Sequence, residues 1–381
     1  MTINVLDLFS GIGGMSLAVH EAIPRSKTVG FCDKDPRAKA VVQAQQRLGG
    51  LHARDFHDDV TTLRGKSLPK IHMVTAGFPC TDISVLGHRE GLLGGSRSVL
   101  IKEVFRLVRE TKAPYIFLEN VSVILKDQNY AYIPKAMKKL GYDCAWGLFT
   151  VSSLPGALHV RKRWFLLGKL PDAPPLKIER DGNALIRHLK QKTRLTRPRD
   201  SRLASFQSFL LGNTVVPAQA HLALVRLYDM LSSATAAALK RYDELDLKQD
   251  AAMIDGKFYE YPGARKNREG KKSKERNFTV IPPAPIPDSK AKLRILTQPF
   301  TSVYLPTPRT NTNTSLSNPT MTKRTATDLG SMLMSTTLFR STFKHKDDRR
   351  MLMISDEFLC KMMGYPKHWL KAGYKDYIES K

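Results

Sequence analysis

Ile3-Asn4-Val5-Leu6-Asp7-Leu8-Phe9-Ser10-Gly11-Ile12-Gly13-Gly14 is the stretch that decides the fold. Ile3 to Phe9 is an apolar run of strand length. The glycines behind it let the backbone turn sharply into a helical pattern that reaches about Ala22. A strand, a Gly-rich turn and a helix in that order can cradle a ligand, because the turn allows close backbone approach and the helix offers its first amides. Alone the signal is weak: a tight βα turn that binds nothing fits it nearly as well.

Working outward, the same alternation continues. Val29 to Cys32 reads as a second strand ending at Asp33, and a helix follows from Pro36 to about Leu48. Met73 to Ala76 is a strand running into Gly77-Phe78-Pro79-Cys80, and Tyr115 to Leu118 is another, ending at Glu119-Asn120. Phe149 to Val151 and Trp164 to Leu167 complete the set. Strands separated by helices imply an α/β fold, a doubly wound and mostly parallel sheet. Ligands in such folds sit at the carboxyl ends of the strands, where Asp33, Cys80, Glu119 and Asn120 all fall.

The 381 residues accommodate one large domain and a smaller one. Lys and Arg number 61 against 35 Asp and Glu, a net charge of +26. Such an excess favours a polyanionic partner, since neutralising phosphates releases condensed counterions. The N-terminal MTINVLDLFSG has no basic leader and the sequence has no apolar run of membrane-spanning length, so neither a signal peptide nor a membrane span is expected. Cys32, Cys80, Cys144 and Cys360 are scattered without metal-ligand spacing, which points to free thiols and no metal.

After about Leu231 the composition changes. Residues 265–276 are dense in charge, 282–287 form a Pro-rich connector, and Thr307 to Asp328 is rich in Thr, Asn and Ser. Helical periodicity returns at Ser355 to Met363 and ends at Gly364-Tyr365-Pro366. These shifts divide the chain near residue 240, into a catalytic part, 1–240, and a smaller C-terminal part, 241–381.

The residues that carry chemistry gain meaning together. A carboxylate at Asp33 can bridge the hydroxyls of a ribose, and Asp58-Asp59-Val60 suits an adenine amino group. With no phosphate-cradling lysine, the three segments suggest a nucleoside without phosphates. Cys80 at a strand end can be held partly as thiolate, though an isolated cysteine is more often a small buried hydrophobe. Glu119 at the neighbouring strand end could protonate a base if burial raises its pKa. Arg161 and Arg163 could face the same edge; read singly, they and Glu119 would be an ordinary solvated edge and ion pair.

In order, these residues resemble the cytosine-5 DNA methyltransferase family. DLFSGIGG looks like its first cofactor motif, and Gly77-Phe78-Pro79-Cys80 followed by Ser84 like its nucleophile motif. Glu119-Asn120-Val121 matches its ENV motif, Arg161 and Arg163 its paired arginines, and Gly212-Asn213-Thr214-Val215-Val216-Pro217 its final GN-x-V-x-P motif. The resemblance implies a Rossmann-like, S-adenosylmethionine-dependent methyltransferase acting on a cytosine flipped out of duplex DNA. Cys80 would attack carbon 6, Glu119 would donate to ring nitrogen 3, Arg163 would hold the base carbonyl, and Arg161 would support Glu119 or the thiolate. It also implies cofactor contacts from Phe9, Gly11, Gly13, Asp33, Lys34, Asp59, Val60, Pro79, Asn213, Thr214 and Val215. The segment Thr81 to Ser98 would be a mobile catalytic loop, with Ser84, His88 and Arg89 near DNA.

Departures from the family pattern are Thr81 for Gln, Ile83 for Phe, His159 for Gln, and Asp33 for Glu. None removes a group the reaction needs. The order of segments differs more. Only about 48 residues separate Arg163 from Gly212, too few for the recognition domain that usually lies there. Ser355 to Trp369 instead resembles the segment supporting such domains, so the recognition region is expected at the C-terminus. Leu305 to Thr327, with Arg309, would be the reading element. Such compact rearranged enzymes are similar to those of phages, large DNA viruses and restriction-modification systems. The expected setting is cytoplasm or nucleoid in a prokaryote or phage, and nucleus or viral factory otherwise, with duplex DNA as partner and a monomeric chain. The rival is an RNA (tRNA) cytosine-5 methyltransferase, whose Cys-Phe-Thr signature is not found here.

Overall fold

The computed structural model describes residues 1–52, 55–79, 99–126, 132–191, 201–233, 240–241, 251–254, 257–260 and 356–381. Cys80, the segment Thr81 to Ser98 with Ser84, His88 and Arg89, residues 265–276 and 282–287, and the Leu305 to Thr327 stretch with Arg309 lie outside them.

The strands are β1 (Ile3–Leu8), β2 (Ser26–Cys32), β3 (Asp55–His57), β4 (Met73–Ala76), β5 (Tyr115–Val121), β6 (Asp143–Thr150), β7 (Lys162–Lys169), β8 (Lys240–Arg241), β9 (Ala251–Ile254) and β10 (Lys257–Glu260). They form one sheet in the order β3-β2-β1-β4-β5-β7-β6-β9-β10-β8. From β3 to β5 every pairing is parallel, as the alternation of strands and helices requires. Beyond β5 every pairing is antiparallel, which the sequence did not reveal. The parallel half carries the carboxyl ends of interest. The chain leaves β1 toward β2 on one side and returns to β4 on the other, so the crevice opens where the winding reverses.

Helices cover both faces: α1 (Gly14–Ala22), α2 (Pro36–Arg47), α3 (Val99–Thr111), α4 (Tyr132–Lys139), α5 (Asn183–Lys190), α6 (Ser201–Asn213), α7 (Pro217–Ser233), α8 (Asp356–Met362) and α9 (Lys371–Glu379). Local chemistry explains their starts. Asp35 caps α2 by accepting from the Arg37 amide at 2.8 Å, with Pro36 in the first turn. Helix α1 begins differently: Gly13, at φ 86°, provides no side-chain cap, and the Ser16 amide in the first turn bonds the buried Asp7 carboxyl. The apolar stretch Ser205–Ser232 has the length and hydropathy of a membrane span, yet 76% of its most apolar part is buried. It consists of α6 and α7, broken at 214–216, and packs as core.

The sheet does not stop at residue 240. Strand β9 pairs with β6, and β10 extends it. The C-terminal helices also return to the N-terminal half. Phe358, Leu359, Met363, Tyr365 and Trp369 share one buried cluster with Ile12, Val41 and Leu51. Arg47 pairs with Asp376 across α2 and α9, and Gln45 donates to the Trp369 carbonyl at 2.6 Å. Gly373 sits directly on the Val41 backbone, where a side chain would collide.

Candidate active site

Four carboxyl ends converge in the crevice. Gly77, the first residue after β4, lies between two of them. A methyl group at its position would sit 3.2 Å from Oε2 of Glu119 and 3.9 Å from the Phe9 carbonyl. The segment leading to Cys80 therefore passes between the end of β1 and the Glu119 carboxyl. Asn120 grips the same segment: its Nδ2 donates to the Phe78 carbonyl at 3.0 Å, while its Oδ1 accepts from the Val121 amide. Asn120 is 2% exposed, so this bond is shielded from water and fixes the approach to Pro79, the last described residue before Cys80. Sequence reasoning placed Asn120 at a strand end but gave it no task.

Glu119 forms an ion pair with Arg163, Nε to Oε1 at 3.0 Å. Burial pushes the Glu119 carboxyl up, and the guanidinium groups of Arg163 and Arg161 pull it back without cancelling the effect. A carboxyl raised in this way holds a transferable proton nearer neutrality. The two arginines have different hydrogen-bond partners. Both point to one face, because β7 continues an extended segment in which 161 and 163 alternate with exposed 160 and 162. Arg163 is opposite Val121 in the ladder and so reaches Glu119 diagonally. Arg161 instead donates from Nη2 to the carbonyls of Thr214 at 2.5 Å and Gly212 at 3.2 Å. It ties the GN-x-V-x-P segment to the sheet.

The cofactor candidates fall into three groups. Phe9 and Gly11 adopt left-handed backbone, φ 52° and 51°, and the Gly11 amide donates to Asp33 Oδ2 at 2.7 Å. Asp33 Oδ1 also accepts from the Asp35 amide at 2.9 Å, and burial pushes its carboxyl up. Ser10 Oγ is buried without a hydrogen-bond partner among the described residues, an orphan that a polar ligand would satisfy. Thr214 faces this turn, since a methyl at Gly11 would lie 4.0 Å from its Oγ1. Thr214 and Val215 are buried, whereas Asn213 is exposed. The third group lies at the rim. Asp59 caps its own turn through Thr61, with Lys34 3.8 Å away, and Lys34 is otherwise solvated. Val60 is buried, its carbonyl accepting from Arg106 at 2.9 Å.

Two residues that sequence reasoning left without a role here buttress the turn. The Tyr365 hydroxyl meets Thr214 Oγ1 at 2.6 Å and donates to the Val215 carbonyl at 3.0 Å. The same hydroxyl crowds Gly14, which has no room for a side chain. Trp369 Nε1 donates to the Ile12 carbonyl at 3.1 Å. The three contacts span 150 to 357 residues of sequence, so no local pattern could have signalled them.

Cys32, Cys144 and Cys360 are buried. Burial pushes the Cys32 thiol up to about 12 and the Cys144 thiol well above its ordinary value, so neither offers a thiolate. His159, at the departure from the family pattern, is wholly buried, and burial next to Arg161 and Arg163 brings it down to about 3. It is therefore neutral. No group of three or more His, Cys, Asp or Glu among the described residues could hold a metal ion.

The family model for C-5 cytosine-specific DNA methylases matches residues 3–378. The chain is 36% identical over 179 residues to the Type II methyltransferase M2.BsuMI of Bacillus subtilis, covering 45% of this chain and 43% of that protein. It is 33% identical over 179 residues to the Type II methyltransferase M.CviJI of Paramecium bursaria Chlorella virus IL3A, covering 47% and 46%. Each alignment thus spans less than half of the relative's length. Among solved structures, the Dnmt2 methyltransferase of S. pombe is 21% identical, covering 53% of this chain and 63% of that one, with a TM-score of 0.38.

Proposed function

Since this chain belongs to the C-5 cytosine-specific DNA methylase family, we propose that it methylates carbon 5 of cytosine in duplex DNA, with Cys80 as nucleophile. The observation that carries the reading is the meeting at Gly77. There the segment leading toward Cys80 passes close to the Glu119 carboxyl and to the end of β1, which supports a reading in which nucleophile, acid and cofactor turn share one crevice. The charge of +26 suits a polyanionic substrate.

S-adenosylmethionine, the donor that the family implies, supplies a methyl group on a sulfonium. The residues present fit such a nucleoside: an orphaned Ser10 hydroxyl, the left-handed turn at Phe9 and Gly11, and a half-buried Asp33 carboxyl. Asp33 would hold the ribose, and Phe9, Gly11 and Gly13 would line the turn. Lys34, Asp59 and Val60 would form the adenine end, Pro79 would lie near the reacting methyl, and Asn213, Thr214 and Val215 would close the pocket.

The residue types then account for the steps. Carbon 5 of cytosine is a poor nucleophile until the Cys80 thiolate adds to carbon 6 and breaks the aromatic ring. Glu119, its carboxyl raised by burial, donates to nitrogen 3 and so directs electron density to carbon 5. Arg163 holds Glu119 in place, and its cation would polarise the carbonyl of the bound base. After methyl transfer, water takes the carbon 5 proton, the Cys80 thiolate leaves carbon 6 as the ring regains aromaticity, and nitrogen 3 returns its proton to Glu119. The base must leave the duplex to reach this crevice.

The recognition of particular bases belongs in this proposal to residues 241–381, with Arg309 in the reading stretch and Ser84, His88 and Arg89 close to the backbone. The boundary near 240 then separates reading from chemistry and not two independent cores, given the docking of α8 and α9. A Type II restriction-modification setting is the biological context the relatives' names suggest. Bisulfite sequencing of a plasmid incubated with enzyme and donor tests the function. Protected cytosines in a fixed sequence context are expected; a plasmid that is bound but converts fully would refute it, as would methylation of tRNA alone.

A further inference from the structure

A chain of buried polar groups runs under the cofactor turn and is used by none of the steps above. Asp7, on β1 two residues before Phe9, is wholly buried. Its Oδ1 accepts from Thr75 Oγ1 on β4 and its Oδ2 from Ser16 Oγ on α1, both at 2.7 Å. Ser16 Oγ in turn accepts from Thr28 Oγ1 on β2 at 2.9 Å. Thr28 Oγ1 lies 3.2 Å from His20 Nε2, and His20 Nδ1 lies 2.9 Å from Ser26 Oγ. His20 is half-buried and packs edge-on against His52, so the chain ends near water.

Every link can carry hydrogen in either direction. With Asp7 ionised, the imidazole donates to Thr28, Thr28 to Ser16, and Ser16 to the carboxylate. With Asp7 protonated, each hydroxyl turns round and the imidazole takes its other tautomer. Burial brings His20 down to about 4, so it stays neutral and free to exchange tautomers. A wholly buried carboxyl thus gains or loses its proton without unfolding. The groups facing Asp7 are the hydroxyls of Thr75, Ser16 and Thr28, the Ser16 backbone amide in the first turn of α1, which favours the carboxylate, the Asp33 carboxyl at the end of β2, and Tyr365 from the C-terminal segment. None is a cation, so hydrogen bonds alone oppose the cost of burying an ionised Asp7, and burial outweighs them.

We propose that Asp7 distinguishes the charged methyl donor from its uncharged-sulfur product, releasing a proton through the Ser16-Thr28-His20 chain when the donor binds. This rests on the methyltransferase reading above. Donor and product differ by one positive charge on sulfur. Burial brings Asp7 up to about 7, so close to neutral pH its charge answers to a small added field. A sulfonium held within about 10 Å of Asp7 would, through an effective dielectric near 20, move the carboxyl by about one unit, or about tenfold in affinity. A cation favours the ionised form, so donor binding expels a proton and strengthens as pH rises through neutrality. Loss of the charge after transfer lets the proton return and favours product release.

Calorimetric titration of the full chain with S-adenosylmethionine and with S-adenosylhomocysteine, in buffers of different ionisation enthalpy, reads the proton count directly. The sulfonium lowers the donor's own α-amino pKa, so that contribution is removed by comparing wild type with Asp7→Asn, in which the ligand's titration is the same. At pH 7 the donor is expected to release about half a proton more than the product. The donor dissociation constant should fall up to about tenfold between about pH 6 and about pH 8, and the product's should not. Asp7→Asn should bind both ligands and lose about half a proton of the donor's release relative to wild type. An unchanged donor proton count in Asp7→Asn would overturn the proposal while leaving the methyltransferase reading intact. Absence of binding by either ligand would overturn both.

Discussion

Replacing Tyr365 by Phe removes one oxygen and leaves the ring. In the structure that oxygen meets Thr214 Oγ1 at 2.6 Å and donates to the Val215 carbonyl at 3.0 Å, in a place with no access to solvent. Buried polar groups that lose a partner cost about 1–3 kcal/mol each. Thr214 can turn its hydroxyl elsewhere, so the Val215 carbonyl bears most of the loss, and about 2 kcal/mol is expected overall. The ring itself still packs with Trp369 at 5.8 Å between centroids. Because Thr214 and Val215 face the turn at Gly11 and Gly14, the loss should fall on the cofactor pocket. Cofactor affinity should weaken by about tenfold to thirtyfold, and the denaturant midpoint should fall modestly. Calorimetric titration beside chemical denaturation separates the two effects. A Tyr365→Phe protein with affinity within about twofold of wild type would refute the claim that the C-terminal segment shapes the pocket.

Gly77→Ala would place a methyl 3.2 Å from Glu119 Oε2; methylation should fall at least about tenfold while circular dichroism is unchanged, and full activity would mean that the carboxyl need not sit there. Stability should also depend on pH through Asp7. Its folded pKa, about 7, lies above the unfolded carboxyl's, so the folded state holds the extra proton between the two values. Stability is therefore greatest at the acid end of that window and is lost as pH rises through about 7. The urea midpoint should drop between about pH 5 and about pH 8, and Asp7→Asn should flatten that dependence; an unchanged slope would sink this account of Asp7.

Much of this molecule was legible because local patterns carried it. The run Ile3 to Leu8 with its glycines announced β1 and the turn, and Pro36 behind Asp35 announced α2. Strand β3 escaped notice because Asp55-Phe56-His57 is short and mixed in polarity. Strand β6 was seen only at its end, although it begins at Asp143. The tasks of Arg161 and Arg163 could not be told apart by spacing, since alternate positions share a face and only the register with β5 assigns Glu119 to Arg163. The Tyr365 and Trp369 buttress joins segments far apart in sequence. The Asp7 chain draws on three strands and a helix, and depends on side-chain reach that sequence alone does not express.

Covalent capture tests the central claim most directly. Duplex DNA carrying 5-fluorocytosine in place of cytosine has no carbon 5 proton to lose, so an enzyme that has added its thiol and transferred methyl cannot leave. With S-adenosylmethionine present, the account predicts a denaturation-resistant protein–DNA adduct whose modified peptide contains Cys80, and none from Cys80→Ser. An adduct formed equally well by Cys80→Ser, or methylated cytosine made by that variant, would contradict it.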